Sequence, residues 1–402
     1  MPKGWTEVAL GDLCRVVVDR RYAAGADGLL YVGLEHMPSG SPRVRDPSTT
    51  AGLASQVVAF QPDDVLFGRL RPYLRKVAQA DFAGVCSPEI LVLRPVAGLV
   101  LPSYLYALAA SHPVIDWAVS SSAGSRMPRT SAVDLLAFRT ALPPLAEQRR
   151  IVDLIRSVDE ELASAKLVVA ATEGTLAAYL DANFSTVEPD PVVPLGALVS
   201  MGSGPSWKAA DEAADPRDGS KTVIGITSTP AGTRLVDVTQ RRHVVGLPPA
   251  VRTLMPDSIV LIRTNGNRNR IGNAYRVPHT AVGYAFSAFQ IGVFARDPHD
   301  ATYLFWFLSA PSTQARISDA ASGSTGLGNV SVRWLSHLEV PWPAEAQRAH
   351  ISTLADTLDA MSAAAREVVS MSQAVRDALL ADLLSGEHRI PESYDLFLTD
   401  AA

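Results

Sequence analysis

The hydrophobic positions of this chain change period along its length, and the same change returns about half a chain later. Between residues 29 and 95, short β-branched runs ("LLYVGL", "QVVAF", "DVLFG", "EILVLRP") are broken by Gly, Pro and Asp. Such runs predict strands bounded by turns. "SYLYALAASHPVIDWAV", residues 103–119, then has helical spacing. From Ile151 a longer stripe begins: Ile155, Val158, Leu162, Ala165, Val169, Leu176 and Tyr179, with Thr172 the polar member. Steps of four and three are the period of a coiled-coil seam. A second stripe runs Ile351, Leu354, Leu358, Met361, Ala365, Val368, Val375 and Leu379, with Ser372 polar. Each stripe follows a proline segment, "LPPLAEQ" or "VPWPAEAQ". Proline suits the first turn of a helix and not its interior. Glu147 and Glu345 then fall near a positive helix end.

The recurrence extends beyond the helices. Pro144–Gln148 and Pro343–Gln347 lie 199 residues apart. "FQPDDVLFGRLRP" (Phe60–Pro72) parallels "LMPDSIVLIRTNG" (Leu254–Gly266), and "PSYLYALAAS" parallels "ATYLFWFLSA". "SSAGSRMPRTSAVDLLAF" matches "ASGSTGLGNVSVRWLSHL", and "VALGDLCRV" matches "VPLGALVSM". Matches in one order at nearly one offset define a tandem duplication of roughly 200 residues, which means two domains and not a solenoid. The predicted organisation is a globule over 1–143, a helix over 144–184, a second globule over 185–342, a second helix over 343–386 and a tail over 387–402. The fold class is α+β: two tandem α/β globules in pseudo-twofold arrangement, separated by an antiparallel coiled coil of the two long helices. The helix seam is placed at Ile151, Ile155, Val158, Leu162, Ile351, Leu354, Leu358 and Met361. Each helix is expected to run roughly 35 residues, or about 50 Å.

Composition changes this picture little. The 402 residues are 47 % hydrophobic and 19 % charged, an ordinary globular balance, with a net charge of −5. The net sign argues against a uniformly basic surface but leaves local basic patches open. Cys14 and Cys86 stand far apart and are expected to be reduced, partly buried thiols. The first residues lack a signal-peptide pattern, and no apolar run reaches a membrane span, so the chain is expected to be cytoplasmic.

The chemistry-bearing residues cluster after the "PD" strands. Arg69, Arg71, Arg75 and Lys76 surround Tyr73; in the second half "RTNGNRNRIGNAYR" carries Arg263, Asn265, Asn267, Arg268, Asn269 and Arg270, then Asn273 and Arg276, with no acid. Arg suits guanine edges and phosphates, and Asn suits adenine edges. Ser125, Arg126 and Arg129, and the matching Ser324, Thr325 and Asn329, sit in Gly/Ser loops that let backbone approach phosphate. Trp207 and Lys208 in "GSGPSWK" are weaker candidates. A solvated hairpin turn is the bland alternative for the Asn-Gly segment. Against catalysis, no N-P-P-Y loop, no cofactor-type glycine turn after a clear strand and no P-loop occur. Asp63 and Glu89 lack the lysine that a nuclease of that pattern needs, and His36, His112 and His243 have no ligand spacing.

The junction "LPPLAEQRRIV", the loop "SSAGSRMPRTSAVDLLAF", the segment "GRLRPYLRKVAQADFAGVCSPEILVLRP" and the ending "SGEHRI" resemble the specificity subunit of type I restriction-modification systems. The second junction departs from that pattern, with Trp342 in place of proline and a degenerate "AEAQRAHI". The resemblance implies a non-catalytic, DNA-binding subunit whose two target-recognition domains each read half of a split double-stranded target. It implies spacer helices that set the gap and bind two methyltransferase subunits, with motor-nuclease subunits as further partners. No cofactor is expected on this chain, and S-adenosylmethionine, ATP and Mg are expected on the partners. A DNA-binding adaptor for another defence or modification enzyme, or a scaffold that binds no DNA, remain alternatives. Adjacent methyltransferase and motor-nuclease genes would separate these.

Overall fold

A computed structural model describes residues 4–22, 28–50, 55–124, 126–185, 191–322 and 328–398. It divides into two compact units, one of residues 1–166 with 367–402 and one of residues 167–366. Each unit therefore owns one end of each long helix.

In the first unit, β1 (Thr6–Ala9) pairs antiparallel with β6 (Arg139–Leu142) and closes the globule at its root. The central sheet has the order β2-β5-β3-β4, with β2 Cys14–Val16, β3 Val65–Gly68, β4 Val77–Gln79 and β5 Ile90–Pro95. The buried runs Val65–Gly68 and Ile90–Leu93 read as continuous apolar strands because both faces are covered. A second sheet of short strands runs Arg20–Tyr22, Gln56–Phe60, Gly84–Cys86, Leu30–Val32, Ser48–Thr49. Helices α1 (Pro102–Ala109) and α2 (His112–Ser120) each start with proline in the first turn, where its missing N–H costs nothing. One core joins Leu10, Phe67, Tyr104 and Leu135 to Ile151 and Ile155 of the long helix α3 (Leu145–Phe184) and to Leu380 and Leu383 of the second long helix.

The second unit repeats this plan. β7 (Val192–Pro194) pairs with β12 (Glu339–Pro341), and the central sheet runs β8-β11-β9-β10. These strands are β8 Val199–Ser203, β9 Ile259–Ile262, β10 Ala274–Arg276 and β11 Gln290–Ala295. The order is the same as in the first unit, so the duplication read in the sequence is also a duplication of topology. Helices α4 (Ala301–Ser309) and α5 (Pro311–Asp319) follow. The very apolar "ATYLFWFLS" is core except for the half-buried Thr302 and Ser309: Tyr303, Trp306 and Phe307 are buried against Leu176, Leu180 and Phe184 of α3 and Ile351 and Ala355 of α6 (Glu345–Ser385). Among the described residues no helix is long and apolar enough to cross a membrane.

The junction to α3 is held by two buried polar side chains. Gln148 accepts from the Leu101 N–H (2.9 Å) and donates to the carbonyls of Leu99 and Pro143 (3.1 and 2.9 Å). Glu147 accepts from Arg389 (2.8 Å) and from the Trp5 indole (3.3 Å). Each buried polar group thus has partners, as burial requires. Arg150 pairs with Asp395 (2.6 Å) and Tyr394 donates to Asp153 (3.1 Å), so the C-terminal segment is strapped over the start of α3. At the second junction Gln347 is exposed and Arg348 takes over. It pairs with Asp300 (2.9 Å), donates to the Pro343 carbonyl (2.8 Å) and stacks on Trp342 at 4.2 Å. The degenerate "PWPAEAQR" therefore marks a different lock at the same place.

On α3, Ile151, Ile155 and Leu162 are buried and Val158 is half-buried. The seam of α6 needs correction. Ile351 is buried and Leu358 half-buried, but Leu354 and Met361 are 37 % and 53 % exposed. The buried positions are Ala355, Ser362, Arg376 and Leu380 instead. Small side chains occupy two of them. At a third, Arg376 is buried as an ion pair with Asp159 (2.6 Å), with Asp377 at 3.3 Å. Burial alone would lower the Arg376 pKa, but the hydrogen bond to Asp159 outweighs it and the net shift is upward. The charged pair thus takes a seam position that a count of apolar residues assigns to the large neighbours.

Candidate nucleic-acid interface

In the first unit the chain leaves β3 at Gly68 and returns at Val77, and the connection carries Arg69, Arg71, Tyr73, Arg75 and Lys76. Arg71 and Arg75 adopt φ of +51° and +50°, a left-handed conformation uncommon for any residue but glycine. Such a conformation persists only where the surroundings enforce it. For Arg71 the enforcing element is the loop after α2. The Arg71 N–H donates to the Pro128 carbonyl (2.8 Å), the Thr130 N–H to the Arg69 carbonyl (3.1 Å), and the Arg69 Nε to the Thr130 carbonyl (3.2 Å). The two segments singled out in the sequence are therefore one joined surface.

Its side chains divide by partner. Tyr73 and Arg126 are exposed, and the Arg71 guanidinium lies 3.3 Å from the Met127 sulfur. Arg129 forms a bidentate pair with Glu89 (2.9–3.1 Å), which cancels its charge locally. Arg75 turns to Asp377 (3.5 Å), His112 (3.0 Å) and the Ala110 carbonyl, and Lys76 donates to the Leu34 carbonyl. Arg75 and Lys76 are thus drawn off the loop tip into bracing. Ser125 lies outside the described residues.

The second unit builds the same joint from different residues. The Arg263 N–H donates to the Phe289 carbonyl at 2.8 Å, as Arg69 does to Glu89 at 2.9 Å. The Arg263 carbonyl accepts from Val330 at 3.1 Å, as that of Arg69 does from Thr130. Thr264–Asn265 pairs with Gly328–Asn329, and Thr264 Oγ1 donates to Asn329 Oδ1 (3.2 Å). Beyond it the loop is organised by its own asparagines: Asn265 Oδ1 accepts from the Asn267 N–H (2.9 Å), and Asn267 Oδ1 from the Asn269 N–H (3.1 Å). These are successive Asx turns. Arg268 donates to the Ala321 carbonyl (2.9 Å), and Arg270 to the Thr229 carbonyl and the Tyr275 hydroxyl (3.1 Å). Arg263 reaches the Ala288 carbonyl (3.5 Å). Carbonyl partners hold a guanidinium without cancelling its charge. Among the described residues no ion pair engages Arg263, Arg268 or Arg270, so this loop keeps an uncompensated positive field. Asn269 is exposed, as is Lys208 beside Trp207; Ser324 and Thr325 lie outside the described residues. Arg276 belongs elsewhere: it pairs with Asp356 of α6 and stacks on Phe305 and Trp306 at 4.4 and 4.9 Å.

Glu89 and Phe289 were not among the sequence candidates for DNA contact, yet the carbonyl of each holds the start of the basic loop in its unit. The duplicated map places them opposite one another ("CSPEI" against "FSAFQ"), which is the signal that marks them. Among the described residues no group of three His, Cys, Asp or Glu side chains is placed to hold a metal ion.

The chain is folded like the specificity subunits of type I restriction-modification systems. It matches the S subunit from M. genitalium over 94 % of this chain and 96 % of that one, with TM-score 0.51 and 15 % identity. It also matches a chain from a study of the assembly and conformational transition of the type I R-M system, over 96 % and 99 %, with TM-score 0.60 and 19 % identity. In sequence it is similar to the type I restriction enzyme EcoDI specificity subunit of Escherichia coli, 22 % identical over 179 residues. It is also similar to the HindI specificity subunit of Haemophilus influenzae, 24 % identical over 166 residues. These alignments span 44 % and 39 % of this chain and only 39 % and 36 % of the relatives. No family model matches the chain.

Proposed function

We propose that the chain is the sequence-specific DNA-binding subunit of a type I restriction-modification complex. Each globule reads one half of a bipartite, asymmetric double-stranded target, and the long helices set the gap and dock methyltransferase subunits. The observation that carries this reading is the joint built twice. The same backbone bonds tie a basic strand connection to a Gly/Ser loop in both units, while the side chains presented differ. A conserved frame with variable side chains suits direct readout, in which phosphate contacts position the protein and base-edge contacts specify the sequence.

Docking is supported by α6. Val368, Met371 and Val375, each more than half exposed, border an open groove of about 670 Å³ with Val158 and Glu161. Leu354 and Met361 continue the same heptad spacing. An exposed stripe of large apolar side chains marks an interaction surface. In this reading the chain itself performs no methylation or cleavage, and S-adenosylmethionine, ATP and Mg act on its methyltransferase and motor-nuclease partners.

Binding to duplexes with each half-site scrambled in turn tests the assignment. Arg268→Ala should weaken binding through one half only, by about 1–3 kcal/mol if the contact is to a base edge. A phosphate contact would instead lower affinity for every sequence and flatten the salt dependence. Wild-type affinity at several salt concentrations would remove this loop from the DNA.

A further inference from the structure

The two units differ in chemistry at one equivalent position at the root of the reading loop. The first unit holds Glu89, whose carboxylate is taken by Arg129. The second holds Phe289, and the matching partner is Asn329, engaged with Thr264. The Phe289 carbonyl accepts from Arg263 (2.8 Å) and Thr264 (3.3 Å), so its backbone is fixed to the start of the basic loop. The turn behind it is rigid: buried Gln290 accepts from the Ser287 N–H (3.2 Å) and donates to the Gly225 carbonyl (3.0 Å). The ring is nevertheless 51 % exposed. It forms one wall of a cavity of about 410 Å³ whose other walls include Trp207, Val223 and Ile226. A phenylalanine held on a fixed turn, next to arginines without acid partners, is a preorganised apolar probe on a surface that attracts phosphate.

We propose that Phe289 is a specificity-determining residue that packs against the 5-methyl group of a thymine in the half-site read by the second unit. This rests on the DNA-binding reading above. Among base edges in the major groove, the thymine methyl is the apolar feature that a phenylalanine can recognise. The first unit holds a charged pair, Glu89 with Arg129, at the same place.

The test uses the full chain purified from its host with the subunits that remain bound to it. Selection from a randomised duplex pool defines the motif of the wild type, of Phe289→Ala and of Phe289→Leu. The expected result is loss of a thymine preference at one position of one half with Phe289→Ala, retention with Phe289→Leu, and no change in the other half. Replacing that thymine by uracil, which lacks only the methyl, should weaken wild-type binding about fourfold, the worth of one methyl-sized apolar group. It should leave Phe289→Ala binding unchanged. An enriched wild-type motif that Phe289→Ala reproduces in full, or tolerance of uracil at every thymine, would overturn this assignment alone. A wild-type pool with no enriched motif would overturn the DNA-binding reading together with it.

Discussion

Glu89 occupies Arg129 through both carboxylate oxygens, on a surface where each side chain is more than a third exposed. An exposed pair of this kind contributes little to stability, because solvent screens it. Its larger effect is on the field, because it removes one positive charge from the loops of the first unit. Glu89→Ala should leave the melting temperature within a degree or two and raise affinity for non-specific duplex. The slope of log affinity against log salt should steepen by roughly one phosphate contact. Equal slopes for variant and wild type would mean that Arg129 faces no phosphate. The cysteines illustrate the opposite case. Cys14 and Cys86 are free and buried, and burial pushes both thiols up to about 12, so they are packing residues with little thiolate at neutral pH. Composition pointed to reduced, partly buried thiols, and the two are fully buried. It did not show which arginines spend their charge internally, since Arg75 and Arg129 find acids 302 and 40 residues away in sequence.

At the scale of elements, the existence of the long helices was legible, although they run 40 and 41 residues and not roughly 35, and the outward face of α6 was not. The sequence stripe through Leu354 and Met361 is the exposed one, because Ala355 and Ser362 permit close packing and Arg376 is buried through a carboxylate on the facing helix. Periodicity counts apolar side chains and is blind to burial by pairing. Met361→Lys should therefore leave the thermal midpoint nearly unchanged, as exposed substitutions do, while abolishing co-purification of a methyltransferase subunit. Retained co-purification would place the docking surface elsewhere. The strap at the start of α3 has a pH limit. Burial opposes ionisation of Glu147, but the bonds from Arg389 and Trp5 outweigh it and hold its carboxyl below the usual range; Arg150 does the same for Asp395. A carboxyl whose folded pKa is depressed stabilises the fold above its unfolded pKa, about 4, and loses that contribution as pH falls through the lower folded value. Hydrogen exchange in residues 386–398 should accordingly be slow at neutral pH and accelerate below about pH 4. Arg389→Ala should show the faster exchange already at neutral pH. Exchange that is independent of pH after correction for the intrinsic rate would show that these pairs do not hold the segment.

For the whole molecule, the central fact is duplication with divergence. Sheet order, the root strand pair, the serine caps at Ser131 and Ser331 and the bonds around Arg69 and Arg263 recur. The side chains presented by the joined loops do not: Tyr73, Arg126 and a Glu89–Arg129 pair in one unit, Asn267, Arg268, Asn269 and Phe289 in the other. The repeat was visible in sequence because strands, turns and junction prolines keep their spacing over the whole unit. The joined-loop surface was visible only in part, because it is assembled from loops some 60 residues apart, such as Arg69 with Thr130. If each unit reads DNA through this surface, the two halves of the target must differ. Methylome sequencing of a host that expresses the chain with a type I methyltransferase measures this directly. The account predicts methylated adenine in one non-palindromic motif, two different specified halves separated by a gap of fixed length and no sequence. A palindromic motif, a motif with a single specified half, or no new motif in a host with active methyltransferase would contradict it.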